Sequence, residues 1–294
     1  MPDADRADVT ARADEPSAVG RRGADSRGAL GGFPRPADSR GTLGGFPRPL
    51  LEAVSLTKHF GGVTALDDVS LWALAGEVTA LVGENGAGKS TLIKCLSGVH
   101  APDSGEIRVD GTPMKFGSPL EARLAGIETV YQELGLVEYL DVAMNIFLGR
   151  EICRPWWQGS ILDRRTMRRR AREVLAGFGI TNVDPATEVR QLSGGQRQGV
   201  SIARATAWGA RTIIMDEPTA ALGVRESERV MDVIRRLRDA NLCVLIVSHN
   251  IPQILAVADR VWVLRAGRLV AHRLASETNH ADLVGHITGM PLAG

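Results

Sequence analysis

The chain has 294 residues, 44% of them hydrophobic, with 35 Lys+Arg against 34 Asp+Glu for a net charge of +1. That length holds one large domain or two modest ones, and the apolar content supplies a sizeable core. The balanced charge argues against a dedicated nucleic-acid binder, which shows a basic excess. No run of 18 apolar residues occurs, so no membrane-spanning helix is expected, and the N-terminus lacks a signal peptide's apolar stretch. The three cysteines (Cys95, Cys153 and Cys243) are far apart and fit a reducing compartment, with Cys95 and Cys243 expected as small core residues. Four of the cations are lysines (Lys58, Lys89, Lys94 and Lys115); the rest are arginine.

In chain order, residues 1–49 are rich in Gly, Pro, Ala, Asp and Arg and read as a disordered tail. Within them Ala24–Pro36 (ADSRGALGGFPRP) is duplicated as Ala37–Pro49 (ADSRGTLGGFPRP), with twelve of thirteen positions the same. Two copies are too few to stack as a solenoid. Segments 51–57 and 69–74 alternate as antiparallel strands do. Val78–Val82 is a short apolar strand running into a glycine turn. Leu92, Leu96 and Val99 then mark a helix over 90–98. A second helix spans 163–178, with Asp163 as N-cap and Met167, Ala171, Val174, Leu175 and Phe178 on one face. Its six arginines, among them Arg168 and Arg172, read best as a solvated face. Thr212–Met215 and Cys243–Val247 are buried parallel strands around a helix marked by Val230, Val233, Ile234 and Leu237. Asn250 and Pro252 start another helix, and a hairpin turns at Ala266-Gly267. Alternating strands and helices imply a parallel α/β sheet.

Gly83-Glu84-Asn85-Gly86-Ala87-Gly88-Lys89-Ser90 fits the phosphate-binding loop pattern G-x-x-x-x-G-K-[ST]. Its strand before and helix after point backbone N–H groups and a positive helix end at an anion. Lys89 would bridge the β- and γ-phosphates of ATP. Ser90 would offer its hydroxyl to Mg²⁺, a cation that prefers hard oxygens. The strand Thr212–Met215 closes on Asp216-Glu217, an unusual pair for a buried strand. Asp216 suits the Mg²⁺ shell and Glu217 the general base for an attacking water. His249, just past the strand Cys243–Val247, is either structural or within reach of the γ-phosphate. Spacing alone assigns no chemistry to Gln132.

Together these motifs resemble the ATP-binding cassette (ABC) ATPases over about residues 51–290. Leu192-Ser193-Gly194-Gly195-Gln196 is similar to that family's signature sequence and lies 23 residues before Asp216, measured from Ser193. The resemblance implies a P-loop NTPase core with a parallel sheet, an N-terminal antiparallel β subdomain and an inserted α-helical signature subdomain over about 133–208. The cassette would occupy 50–294. It implies His249 as the switch histidine and Gln132 as the Q-loop glutamine, a Mg²⁺ ligand that senses a membrane partner. Thr91 follows Ser90 in the nucleotide loop. Ser193, Gly194, Gly195 and Gln196 would contact a second nucleotide. Phe60 falls where the family stacks an aromatic on adenine, or else is a core residue. Gln132-Glu133-Leu134, Asn145–Glu151 and Asp216–Val224 look like ATPases of simple-sugar importers, the fructose type most of all. One departure stands out: Gly223 replaces the aspartate that usually ends the D-loop and helps couple two sites.

The resemblance further implies a homodimer of cassettes sandwiching two ATP molecules, since this chain carries one cassette. It implies an integral-membrane permease as a separate chain and a periplasmic or extracellular sugar-binding protein. It places the chain peripherally on the cytoplasmic face of the inner membrane, without a nucleic-acid partner. The alternatives are a non-transport ABC ATPase acting on nucleic acid or ribosomes, and a non-hydrolysing regulatory ATP binder. Against the former, Gln132 and Leu192 are 60 residues apart, which leaves no room for a long coiled coil. The Trp156-Trp157 pair either faces the permease or is a partly packed surface pair.

Overall fold

A computed structural model describes residues 48–154, 161–220 and 222–289 of the chain. The duplicated segment up to Pro47 and the Trp156-Trp157 pair lie outside the described residues.

The described chain opens with β1 (Pro49–Phe60) and β2 (Val63–Leu74), then β3 (Val78–Val82) and helix α1 (Lys89–Leu96). Strands β4 (Ser104–Val109) and β5 (Thr112–Met114), helix α2 (Pro119–Leu124) and strand β6 (Ile127–Val130) follow. Next come three helices, α3 (Val142–Ile146), α4 (Arg164–Gly177) and α5 (Gly194–Thr206), with no sheet strand among them. Then the chain alternates through β7 (Thr212–Asp216), α6 (Val224–Asp239), β8 (Cys243–Val247) and α7 (Ile251–Leu255). It ends with the hairpin β9 (Arg260–Arg265) and β10 (Arg268–Leu274) and helix α8 (His280–Thr288).

Two sheets result. One is antiparallel, in the order β2-β1-β4-β5. The other runs β10-β9-β3-β8-β7-β6, parallel except for β10 at its edge. The apolar runs expected as buried strands are buried: β3 and β8 are inaccessible along their whole length, as β7 is up to Asp216. Burying one such Val, Leu or Ile contributes about 1.5–3 kcal/mol, so these strands anchor the domain. The two sheets meet through aromatic rings. Trp72 of β2 packs edge-on against the fully buried Trp262 of β9 at 4.6 Å, and His272 of β10 stacks on Trp262 at 4.1 Å. Burial, with Arg260 and Arg273 nearby, pushes the His272 pKa down to about 4, so this ring is neutral at physiological pH.

Several expectations shift in detail. Strand β1 begins at Pro49, the last residue expected in the tail, because proline is tolerated at a strand's first position. Strands β1 and β2 run longer than 51–57 and 69–74, with register shifts and left-handed Ser55 (φ 50°) and Asp68 (φ 53°) bending the ribbon. Helix α1 stops at Leu96, so Val99 lies beyond it and is exposed. Gly98 at φ 74° turns the chain away before the helical period can continue. In α4 the Asp163 carboxylate caps the Thr166 N–H at 3.0 Å. Met167, Ala171 and Leu175 are buried there, and Val174 and Phe178 half-buried. Its arginines form a largely exposed face, as expected, on which Arg168 reaches Asp141 at 2.8 Å and Arg169 and Arg172 approach Glu173 and Asp184. Cys95 and Cys243 are buried and their thiols pushed up to about 11 and about 12 by desolvation. Among the described residues no helix is long and apolar enough to cross a membrane.

Candidate active site

Strand β3 sits in the middle of the larger sheet, between β8 and β9, and delivers the glycine loop at its carboxyl end. The outer glycines are demanded by the chain's own packing. A Cβ on Gly83 would fall 2.1 Å from the Leu264 carbonyl oxygen of β9. Gly88 has φ 105°, and a Cβ there would fall 2.5 Å from the Ala65 carbonyl oxygen. Only glycine fits such a left-handed, close-packed position. Gly88 also caps α1, so the first N–H groups of that helix face the loop's concavity.

Lys89, the first residue of α1, is 8% exposed and donates to the Gly83 and Glu84 carbonyls, each at 2.8 Å. Burial holds its pKa below the usual lysine range, opposed by the charges of Glu217 and Asp216. Lys89 lines a cavity of 570 Å³ together with Asn85, Gly86, Gly88, Ser90 and Thr91. Gln132, Asp216, Glu217 and His249 stand across the same cavity. Gly83, Glu84 and Ala87 do not line it: Ala87 is buried and its N–H donates to the Glu84 carbonyl at 3.1 Å, so they shape the loop from behind.

Strand β7 ends at Asp216, registered against Val247 of β8. Neighbouring side chains on an extended strand point to opposite faces, which would part Asp216 from Glu217. The backbone resolves this by turning left-handed at Glu217, with φ 51°. Such a conformation costs about 1–3 kcal/mol in a non-glycine residue and is held here by surrounding structure. The Glu217 N–H donates to the Val247 carbonyl at 2.8 Å. Its carboxylate lies 2.8 Å from His249 Nδ1 and accepts from the Ser248 hydroxyl at 3.3 Å. Burial, then the neighbouring charge of Glu217, raises the Asp216 pKa above the ordinary carboxylate value. His249 is thus engaged with the carboxylate of Glu217.

The Ser90 hydroxyl, the Gln132 amide and the Asp216 carboxylate are oxygen donors on one cavity. Among the described residues no cluster of three His, Cys, Asp or Glu could hold a metal by itself. A donor set this sparse suits Mg²⁺, which keeps waters and takes its remaining ligands from substrate phosphates.

Side chains of α3 and α5 hold the segment that follows Gln132. Arg204 of α5 donates to the Leu134 and Gly135 carbonyls, both at 2.7 Å, and Ser201 donates to Leu134 at 3.4 Å. The fully buried Asn145 of α3 accepts from the Val137 N–H at 2.7 Å and donates to the Val137, Leu140 and Asp141 carbonyls. Asn145 opens the stretch Asn145–Glu151 noted in the sequence, and a polar residue inside an apolar helix marks it further. Arg204, one of 31 arginines, carries no such mark.

Ser193, Gly194, Gly195 and Gln196 lie outside this cavity, at the N-terminus of α5. Ser193 and Gln196 form a reciprocal capping box, with the Ser193 N–H donating to Gln196 Oε1 at 2.9 Å and the Gln196 N–H reaching Ser193 Oγ at 3.4 Å. The side-chain amide of Gln196 also donates to the Asn182 carbonyl at 3.0 Å. Phe60 is 45% exposed and touches His100 edge-on at 5.4 Å, so it is not a core residue, nor does it line the cavity.

A parallel sheet whose central strand β3 feeds this loop and helix, with two acids at the end of β7 one strand beyond β8 and a helical insertion between β6 and β7, defines a P-loop nucleotide-binding protein. The sequence model of the ABC transporter family matches residues 66–220. The chain belongs to that family. It is 48% identical over 246 residues to the fructose import ATP-binding protein FrcA of Rhizobium meliloti, covering 82% of this chain and 94% of that one. It is 44% identical to the xylose/arabinose import ATP-binding protein XylG of Sulfolobus acidocaldarius, covering 83% and 95%. It is 48% identical to the ribose import ATP-binding protein RbsA 1 of Rubrobacter xylanophilus, covering 82% of this chain but 47% of that longer protein. Among solved structures, a nucleotide-free ATP-binding cassette from an ABC transporter shares the fold, with TM-score 0.71, 24% identity and coverage of 83% and 96%. The dimeric bacterial cassette MJ0796 aligns with TM-score 0.64 and 25% identity, covering 76% of this chain and 98% of that one.

Proposed function

We propose that this chain is the ATP-hydrolysing subunit of an importer for a simple sugar. The supporting observation is the single cavity onto which Lys89, Ser90, Gln132, Asp216, Glu217 and His249 converge. The loop N–H groups, the α1 N-terminus and the Lys89 ammonium bind the phosphates. Phe60, exposed at the β1–β2 turn outside the phosphate cavity, would stack on the adenine. Ser90, Gln132 and Asp216 would hold Mg²⁺. When bound, that ion neutralises phosphate charge. Glu217 orients the attacking water and takes its proton. His249, donating from Nδ1 to the carboxylate, keeps that base aimed.

The signature residues Ser193 to Gln196 lie away from the chain's own cavity, which supports a sandwich in which they meet a second copy's nucleotide. An isologous homodimer gives two such sites. Loss of the γ-phosphate contacts opens the sandwich. The motion passes through the Gln132 loop, tethered by Arg204 to the signature helix, to a permease in a separate chain. This assigns residues 50–294 to the cassette and about 133–208 to its helical subdomain, and it puts the chain peripherally on the cytoplasmic face of the membrane. Sugar recognition then belongs to a separate binding protein, and no nucleic acid takes part. The names of the fructose, xylose/arabinose and ribose relatives support the substrate class.

The test is uptake. Deleting the gene in its host should abolish accumulation of one labelled simple sugar, and a plasmid copy should restore it where the Lys89→Ala copy does not. Unchanged uptake of fructose, ribose, xylose and arabinose would refute the importer assignment.

A further inference from the structure

The N-terminus of α5 has a neighbour that the proposed hydrolytic chemistry does not use. Helix α6 begins at Val224, and its N-cap, Gly223, has no side chain to cap it. Three residues on, Glu226 is the acidic residue of the helix's first turn, where a negative charge is favoured. The same carboxylate also faces the Ser193 hydroxyl and the Gly195 N–H, and these groups hold its pKa below the usual range. The packing is close. A Cβ on Gly195 would fall 3.0 Å from Glu226 Cβ, and one on Gly194 would fall 2.9 Å from Leu222 and 3.9 Å from Glu226 Oε2. The signature turn is therefore pressed against the segment Leu222–Glu226 of its own chain.

We propose that Glu226 is a positioning residue that holds Ser193 and the signature helix N-terminus until a partner's ATP arrives, so that the D-loop segment and the signature turn move together. The inference rests on the sandwich reading above. A helix N-terminus attracts one anion at a time, and here the chain supplies its own carboxylate. An incoming γ-phosphate competes with that carboxylate for the Ser193 hydroxyl and the Gly195 N–H, and is repelled by it. Displacing Glu226 releases a residue three positions from Gly223, on the helix that follows the D-loop. This linkage offers a coupling between sites where the usual D-loop aspartate is absent.

The experiment uses the full chain in the Glu217→Gln background and follows ATP-dependent dimerisation by sedimentation, with Mg-ATP as the probe. Glutamine at 226 keeps the size and polarity of the side chain but removes the charge; alanine removes both. E226Q should lower the ATP concentration for half-dimerisation about two- to five-fold, the range expected for one charge at a helix end, with a small fall in the melting temperature of the ATP-free chain. E226A should lower the melting temperature and shift the ATP midpoint the same way. An ATP midpoint that E226Q leaves unchanged or raises would overturn the proposal and leave Glu226 a plain first-turn acid of α6. If the parent Glu217→Gln chain forms no dimer at saturating Mg-ATP, the sandwich reading falls first and this inference with it.

Discussion

Replacing Glu217 by glutamine isolates the base from the fold that holds it. The side chain is 17% exposed, and its backbone at φ 51° is fixed by the N–H bond to Val247. Glutamine keeps the Cβ, the length and the left-handed strain. It can accept from Ser248, and His249 can change tautomer to meet the new amide. The exchange of one hydrogen bond amounts to about 1 kcal/mol, and the loss of a charge beside the destabilised Asp216 offsets part of it. For a domain of this size the melting temperature should therefore stay within about 4 °C. The chemistry should not survive so well. A general base contributes about 10²–10⁴-fold, or about 2.7–5.5 kcal/mol of barrier. Phosphate release measured under saturating Mg-ATP should fall by at least a hundredfold, while binding of a fluorescent ATP analogue persists. Turnover within tenfold of the parent, in a protein with unchanged melting, would remove Glu217 from the role of base.

Other outcomes follow from the same geometry. The Asp216 carboxyl has a raised folded-state pKa, so its ionisation opposes folding above that pKa, and the penalty disappears as pH falls below the unfolded value. Asp216→Asn should therefore melt higher than the parent at pH 7, with the gap closing as the pH drops through the carboxylate range; a lower melting point at pH 7 would reverse the sign. Arg204→Met leaves the Gly135 carbonyl without its donor and Leu134 with only Ser201. Chemical denaturation should show a loss of about 1–3 kcal/mol, whereas an unchanged midpoint would mean that Asn145 alone holds the loop. Cys153 is exposed and the other two thiols are buried, so a thiol reagent should modify one cysteine quickly in the native protein and all three after unfolding. Fast reaction of a second thiol would show that α1 or β8 opens readily.

The amino-acid sequence by itself determined the chemistry-bearing pieces of this protein. Short-range patterns suffice for them: glycines at fixed offsets before Lys89, an apolar strand closing on Asp216-Glu217, and a serine with glycines opening α5. The buried strands β3, β7 and β8 were legible for the same reason, because continuous apolar runs have one place to go. Strands β4, β5 and β6 and helices α2, α3 and α8 were not assigned, since they are short and carry little periodicity. Where the polypeptide folds back on itself, tertiary structure decided. Val99 continues a helical spacing, yet Gly98 ends the turn before it. The alternation rule separates Asp216 from Glu217, and only the left-handed backbone held by Val247 brings both to one cavity. The contacts of Glu217 with His249, of Arg204 with the Gln132 loop, and of Glu226 with Ser193 join residues some thirty to seventy positions apart. Local sequence carries no record of such pairs, because each is set by how the strands and helices pack.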